Sequence, residues 1–272
     1  MISSVSNGRI KQVVQWQSKA RERKKSGIFI VEGIRMYEEA PEQWILETYV
    51  STEERKRLQE DAVGRYREAW QKLLRTGFEE VTEEVFAKMS DTSTPQGILC
   101  VLRRPHYTLQ DLLDCGEGDK PLVLVLEDLQ DPGNLGTILR TGEGAGVGGV
   151  IMSRDTVDVY NPKTIRATMG SIYRVPHIYV EDLQETLVQL AEHEIHVYAA
   201  HLAGENYYST FDFREGTAFL IGNEGNGLKT ETADLADSYL KIPMEGRVES
   251  LNAAMSAGLL VYEAHRQRHA GN

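Results

Sequence analysis

The chain has 272 residues, 41% hydrophobic and 26% charged, with a formal net charge of −11. That length suggests roughly two domains and at least one sizeable core, and the acidic balance argues against a protein that coats nucleic acid by bulk attraction. No apolar run approaches the about 20 residues of a membrane span, and the N-terminus MISSVSNGRIKQ has no signal-peptide core, so a cytoplasmic protein is expected.

Ile10, Val13 and Val14 recur at helical spacing and Gly27 follows as a stop, so the chain opens with a helix that ends in positive charge. Residues 1–27 carry seven basic side chains, Arg9, Lys11, Lys19, Arg21, Arg23, Lys24 and Lys25, against the acid Glu22. Such a run is either a solvated helix end or a phosphate-contacting patch. Ile28 to Val31 reads as a buried strand, residues 32–40 as a helix halted by Pro41, and Ile45 to Val50 as a second strand. Ser51-Thr52-Glu53-Glu54 has the capping-box form and opens one charged helix running toward Leu74, with Gly77 as its stop. A helix around Thr82 to Met89 and a strand Ile98 to Leu102 follow. Between them Asp91-Thr92-Ser93-Thr94-Pro95-Gln96-Gly97 is a turn whose hydroxyls and amide serve recognition or cap the turn itself. Residues 1–104 are thus expected to form a small α/β domain, and 105–120, with Pro105, Gly116 and Gly118 around one helical turn, a linker. Cys100 and Cys115 form no CxxC pair and have no histidine cluster beside them, so neither a metal site nor a disulfide framework is expected.

From Pro121 the pattern strengthens. Leu122-Val123-Leu124-Val125-Leu126 is the continuous apolar run of a strand buried on both faces of a parallel sheet. Further strands are expected at 150–152, 176–180, 195–200, 218–221 and 239–242, with helices between most of them. This is a doubly wound α/β pattern, in which ligands bind beyond the C-terminal ends of the strands.

Three loops at such ends carry chemistry. After the first strand, Asp131-Pro132-Gly133-Asn134 turns into a helix, placing Asn134 at its cap and Arg140 about two turns later. Gly144, Gly146 and Gly149 spell a formal GxGxxG, but a dinucleotide fingerprint runs strand, glycine turn, helix, whereas here the helix precedes the glycines and a strand follows. After the strand ending at Ile221, Gly222-Asn223-Glu224-Gly225-Asn226-Gly227-Leu228 concentrates glycines where backbone approaches a ligand closely. At Leu240 to Val261, Pro243 forces the chain out of the sheet, and a helix of small residues starts near Ser250 or Asn252. That helix start faces either a ligand or a tight packing surface. Between these loops, Asn161-Pro162 opens a helix in which Lys163 and Arg166 are phosphate contacts or simply a solvated face.

DPGNLGTILRT, FLIGNEGNGL and LKIPMEGRVESLNAAMSAGLLVYE, in that order, resemble the motifs of the SpoU (TrmH-like) branch of the SPOUT superfamily, S-adenosylmethionine-dependent RNA 2′-O-ribose methyltransferases. The likeness covers 121 to about 268 and implies a methyltransferase domain over 121–272. FIVEGIRMYEEA and TSTPQGIL in residues 1–104 resemble the L30e-like RNA substrate-binding domain that many members carry. The resemblance implies an α/β fold whose C-terminal parallel sheet contains a deep trefoil knot, threaded from about Gly222 onward. Carried over by motif, the cofactor contacts would be Ala200, His201, Leu202, Gly222, Asn223, Glu224, Gly225, Ile242, Met244, Ser250, Leu251, Asn252 and Ala253.

The same matching puts Asn134, Arg140, Glu224, Ser250 and Asn252 at the family's active-site positions. The family assigns its arginine at this position the activation of the ribose 2′-hydroxyl. Since a protonated guanidinium cannot accept a proton, Arg140 is expected to orient the hydroxyl or the scissile-side phosphate and stabilise alkoxide charge, whether it also deprotonates being left open, with Glu224 fixing its loop or positioning Arg140. No metal is implied. RNA affinity is expected from Arg9, Lys19, Arg21, Arg23, Lys24, Lys25, Lys163 and Arg166, with ribosomal RNA favoured over tRNA because of the extra domain. The family forms homodimers through the knot region, here Ala253 to Tyr262. The competing readings are a catalytically silent RNA-binding protein and, through the GxGxxG, a nucleotide-dependent oxidoreductase.

Overall fold

The computed structural model describes residues 1–114, 120–247 and 250–270, so Cys115, Gly116, Gly118 and Glu249 lie outside the described residues. The chain divides into two units: residues 1–106 with 160–173, and the remaining described residues.

In the first unit Asn7 caps α1 (Gly8–Ser18), accepting a hydrogen bond from the Arg9 N–H at 2.9 Å. α2 (Ala20–Ser26) stops at Gly27, whose φ of 64° lies in the left-handed region that glycine enters without a Cβ penalty. Then come β1 (Ile28–Glu32), α3 (Ile34–Glu39), β2 (Ile45–Ser51), α4 (Thr52–Glu60), α5 (Arg67–Thr76), β3 (Glu79–Val81), α6 (Glu83–Met89) and β4 (Ile98–Arg103). The sheet order is β1-β4-β2-β3, with β4 antiparallel to both its neighbours. Ile10 and Val13 of α1 and Val85, Phe86 and Met89 of α6 share one core cluster with Ile28, Ile30, Leu99 and Val101 from the strands.

The charged helix expected from Ser51 toward Leu74 is two helices. Ser51 caps α4, accepting from the Glu54 N–H at 3.3 Å, but the chain turns after Glu60. A Cβ on Gly64 would meet Asp61 Oδ1 at 2.0 Å, so glycine lets the Asp61 carboxylate lie against the turn. Helical spacing on both sides hid the break.

The segment 160–173 belongs to this unit although it follows much of the second domain in sequence. The Tyr160 ring lies 4.9 Å from that of Phe29, and the Tyr173 hydroxyl donates to the Met36 carbonyl at 2.8 Å.

The second unit contains α7 (Leu109–Leu113), β5 (Leu122–Leu126), α8 (Pro132–Gly144) and β6 (Gly149–Ser153). After α9 (Pro162–Thr168), which lies in the first unit, come β7 (His177–Val180), α10 (Leu183–Glu192), β8 (His196–Ala200), β9 (Asn206–Tyr207), β10 (Thr217–Ile221), α11 (Thr230–Ala233), β11 (Ser238–Lys241) and α12 (Ala253–Arg268). The strands form one sheet in the order β7-β6-β5-β10-β8-β11-β9, every pairing parallel. β5 and β10 are buried along their whole length, as strands covered on both faces must be.

Part of the expected linker is α7. A reciprocal capping box between Thr108 and Asp111 starts it, and Leu112 and Leu113 bury against the sheet. Five residues are too few for periodicity to reveal. α8 ends at Gly144, Gly146 turns with φ 79°, and β6 begins at Gly149, so the GxGxxG is a helix-to-strand connection. Among the described residues no helix is long and apolar enough to cross a membrane.

Parallel strands put the exits of β5, β8, β10 and β11 at one end of the sheet. The three loops singled out from the sequence all leave from that end.

Candidate active site

The segment after β5 is held by its own side chains. Asp131 accepts a hydrogen bond from the Asn134 N–H at 2.8 Å and is the N-cap of α8, with Pro132 next, where a missing N–H does no harm. The sequence had placed Asn134 at the cap. With Asp131 in that role, the Asn134 side chain is available for other bonds.

Asn134 Nδ2 donates to Glu224 Oε1 at 3.0 Å, and its Oδ1 accepts from Asn252 Nδ2 at 2.9 Å. The Glu224 carboxylate also accepts from the N–H groups of Gln130 at 3.0 Å and Asp131 at 2.9 Å. Burial pushes this carboxyl up, but the Gln130 N–H, the Asn134 amide and the Asp131 N–H outweigh it and hold the group below its ordinary value. Asn252 in turn caps α12, its Oδ1 accepting from the N–H groups of Ala254 at 2.9 Å and Met255 at 3.3 Å. One hydrogen-bonded row therefore joins the loops after β5, β10 and β11.

The loop after β10 is folded on itself. Asn223 and Gly227 exchange backbone hydrogen bonds at 3.0 and 2.9 Å, and Asn223 Oδ1 accepts from the Gly225 and Asn226 N–H groups. A Cβ on Gly222 would meet the Gly227 carbonyl carbon at 2.3 Å and the Leu228 nitrogen at 2.4 Å, so only glycine lets the strand exit run against the loop's end.

Beside this loop is a cavity of about 390 Å³, within the range typical of small-molecule sites. It is lined by Ala200, His201, Leu202, Gly222, Asn223, Glu224, Gly225, Ile242, Met244, Ser250, Leu251 and Ala253. Asn252 does not line it. Ile221, Asn226, Gly227, Leu228, Leu240, Lys241 and Ser256 line it too; Asn226, Gly227 and Leu228 belong to the glycine-rich loop expected to approach a ligand, whereas Ile221, Leu240, Lys241 and Ser256 were not expected as contacts. The strand-end residues Ile221, Leu240 and Lys241 directly precede named ones, and Ser256 lies one helical turn beyond Asn252; those spacings were the available signal.

Arg140 stands apart. It is exposed on α8, about 9 Å along the axis from Asn134 by helix rise, and does not line the cavity. Among the described residues no hydrogen bond or ion pair joins it to Glu224 within the chain, while Glu224 accepts from the Gln130 and Asp131 N–H groups of the loop after β5. Thr137 and Thr141 on the same helix border a second hollow with Tyr208, Met255, Leu259 and Tyr262. Met255, Leu259 and Tyr262 are exposed at 60%, 37% and 49% on successive turns of α12, an uncovered apolar stripe.

The expected RNA contacts divide. Lys19, Arg21, Lys24 and Lys25 are exposed, as is Lys163 on α9. Arg9 is ion-paired with Glu47 at 3.5 Å and Glu79 at 3.3 Å, and Arg166 with Asp91 at 3.0 Å. Arg23 is a correction: only 3% exposed, it donates to the carbonyls of Trp16 at 2.7 Å and Gln17 at 3.0 Å. It ties α2 back to the end of α1, where carbonyls lack intrahelical partners.

Residues 121–262 match the model of the SpoU rRNA Methylase family, and residues 7–100 match an MRM3-like substrate binding domain. The 23S rRNA (guanosine(2553)-2′-O)-methyltransferase RlmP of Bacillus subtilis is 30% identical over 96% of this chain and 97% of its own. An AdoMet-bound rRNA methyltransferase from Sinorhizobium meliloti superposes with a TM-score of 0.82 at 29% identity, covering 97% of each chain. The SpoU methyltransferase AviRb from Streptomyces viridochromogenes, in complex with AdoMet, also gives 0.82, at 26% identity over 98% of this chain and all of that one (100%).

Proposed function

The chain belongs to the SpoU rRNA methylase family, and from that premise we propose that it methylates ribosomal RNA as a cytoplasmic homodimer, with Asn134, Arg140, Glu224, Ser250 and Asn252 as its reaction centre. It is an S-adenosylmethionine-dependent RNA 2′-O-ribose methyltransferase. The observation that carries the reading is the cavity at the strand exits, bordered by the loops after β8, β10 and β11, the second of which closes on itself at Gly222, where a Cβ would meet the Gly227 backbone.

The cavity suits the cofactor. Its walls offer Ile221, Leu228, Leu240, Ile242 and Leu251 to an apolar surface, backbone groups of the glycine-rich loop after β10 to a base, and charges of both signs in Glu224 and Lys241. S-adenosylmethionine, when bound, supplies an activated sulfonium methyl. The chain's part is positioning: a ribose oxygen held in line with that methyl needs little further chemical help. The row Glu224–Asn134–Asn252 keeps three loops in register around the transfer point. Arg140 orients the 2′-hydroxyl and stabilises the oxygen charge that grows as the hydroxyl proton passes to solvent water; a protonated guanidinium does not itself take that proton.

The exposed position of Arg140 supports a shared site. A second copy seated on the Met255–Leu259–Tyr262 stripe would lie against the hollow that Thr137 and Thr141 border, one helical step from Arg140. Each Arg140 then serves the partner's cavity. A threaded chain also fits the strand order: β10 lies between β5 and β8, β11 lies beyond β8, and α12 returns to pack on α8 and β10.

For RNA affinity the reading relies on the first unit, on Lys19, Arg21, Lys24 and Lys25, with Lys163 on α9. Titration calorimetry separates the activity from its rivals. Saturable binding of S-adenosylmethionine and none of NAD is expected; binding of NAD alone would reject the reading.

A further inference from the structure

Glu127 and Asp128, the two residues that leave β5, touch both ends of the loop that borders the cofactor cavity, yet neither lines the cavity. At the loop's entrance, Asn223 Nδ2 donates to the Asp128 carbonyl at 2.8 Å. At its exit, Lys229 Nζ reaches Asp128 Oδ2 at 2.7 Å, while the Lys229 N–H donates to Glu127 Oε2 at 2.8 Å. Glu127, 3% exposed, also accepts from Thr232 Oγ1 at 2.6 Å and so anchors α11. Asp128 is itself clamped from β6, where the Ser153 hydroxyl donates to Asp128 Oδ1 at 2.7 Å and accepts from the Asp128 N–H at 2.8 Å.

Asp128 adopts the left-handed conformation, φ 53°, which is uncommon for a residue other than glycine and most accessible to Asp and Asn. The same residue thereby offers its carbonyl to Asn223 and its carboxylate to Lys229. Burial pushes that carboxyl up, but the bonds from Lys229 and Ser153 hold it below its ordinary value. Asp128 remains an anion facing the ammonium of Lys229.

We propose that Asp128 and Lys229 are positioning residues for the transfer reaction, a latch that fixes the Gly222–Leu228 loop in its cofactor-binding shape from outside the cavity. The inference rests on reading that cavity as the S-adenosylmethionine site. An exposed ion pair adds little to global stability, and half of the Lys229 side chain is in water, so the latch acts on local geometry. Cofactor affinity pays for any loosening because binding must then order the loop.

The test compares Asp128→Asn, Lys229→Met, Lys229→Arg and the double variant Asp128→Asn/Lys229→Met. Asparagine tolerates the left-handed backbone and keeps the carbonyl acceptor, so the fold is preserved while the charge is lost. Calorimetry with S-adenosylmethionine is expected to show about a three- to tenfold weaker Kd for each single charge-removing variant. The double variant is expected to be no weaker than the singles, since one interaction cannot be lost twice, and Lys229→Arg to lie near wild type. The KM for cofactor should rise in step while kcat at saturation changes less than twofold. Unchanged Kd values, additive losses in the double variant, or a fall in kcat at saturation without a change in KM would each overturn the latch. Wild-type protein that binds no S-adenosylmethionine would instead overturn the functional reading, and the latch with it.

Discussion

Glu224 and Asn134 meet at 3.0 Å, a carboxylate from the loop after β10 against an amide in the first turn of α8. Because Asn134 also accepts from Asn252 at the head of α12, this bond sets the spacing of three loops that share no sequence neighbourhood.

The bond carries a pH signature. The folded value of the Glu224 carboxyl lies below the ordinary 4.5. Its contribution to stability is complete above the unfolded value and is lost as the pH falls through the folded one. Glu224→Gln removes that contribution. The gap in melting temperature between wild type and Glu224→Gln should be level near neutral pH and close below about pH 4.5. A gap that widens on acidification would contradict the assignment.

Arg140→Ala is expected to abolish methyl transfer and leave S-adenosylmethionine affinity within about twofold, because Arg140 does not line the cavity of its own chain. Single-turnover transfer and calorimetry on the same preparation measure the two quantities.

A site shared between copies allows complementation. Arg140→Ala protein, with an intact cavity, can be mixed after unfolding with Gly222→Val protein, whose added side chain meets Gly227. If Arg140 acts on the partner's cavity, random reassociation gives about a quarter of wild-type activity from two inactive parents. A site completed within one chain gives none. Placing Asp at Met255 and Leu259 should yield monomers by light scattering, with activity lost.

The basic segment separates into two classes. Replacing Lys19, Arg21, Lys24 and Lys25 with Ala should weaken RNA binding and flatten the dependence of log K on log salt, with melting temperature unchanged. Arg23→Ala should instead destabilise the first unit by about 1–3 kcal/mol, since it strips the bonds from two carbonyls, and leave the salt slope alone. Urea titration and binding assays over a salt series distinguish the two.

The sequence disclosed what local pattern encodes. β5 and β10 were visible as unbroken apolar runs, and the glycines after Ile221 marked a place where backbone packs closely against backbone. Long-range contacts carried no such mark. Nothing local showed that Arg23 turns inward, that Tyr160 and Tyr173 belong with Phe29 and Met36, or that Asp131 takes the helix cap and frees Asn134. Short elements were also hidden: α7 spans one turn, and β9 is the two residues Asn206–Tyr207. The cavity residues were named because three motifs resembled a family, whereas the latch at Asp128 and Lys229 lies just outside two of those motifs and became apparent only in three dimensions.

The most direct test of the central claim is transfer from methyl-labelled S-adenosylmethionine to ribosomal RNA, followed by alkaline hydrolysis. A methyl on the 2′-oxygen blocks cleavage of the adjacent phosphodiester, so the label is expected in an alkali-resistant dinucleotide, and to vanish with Arg140→Ala. Label recovered on a mononucleotide base, or no transfer to ribosomal RNA while transfer RNA is modified, would contradict the account.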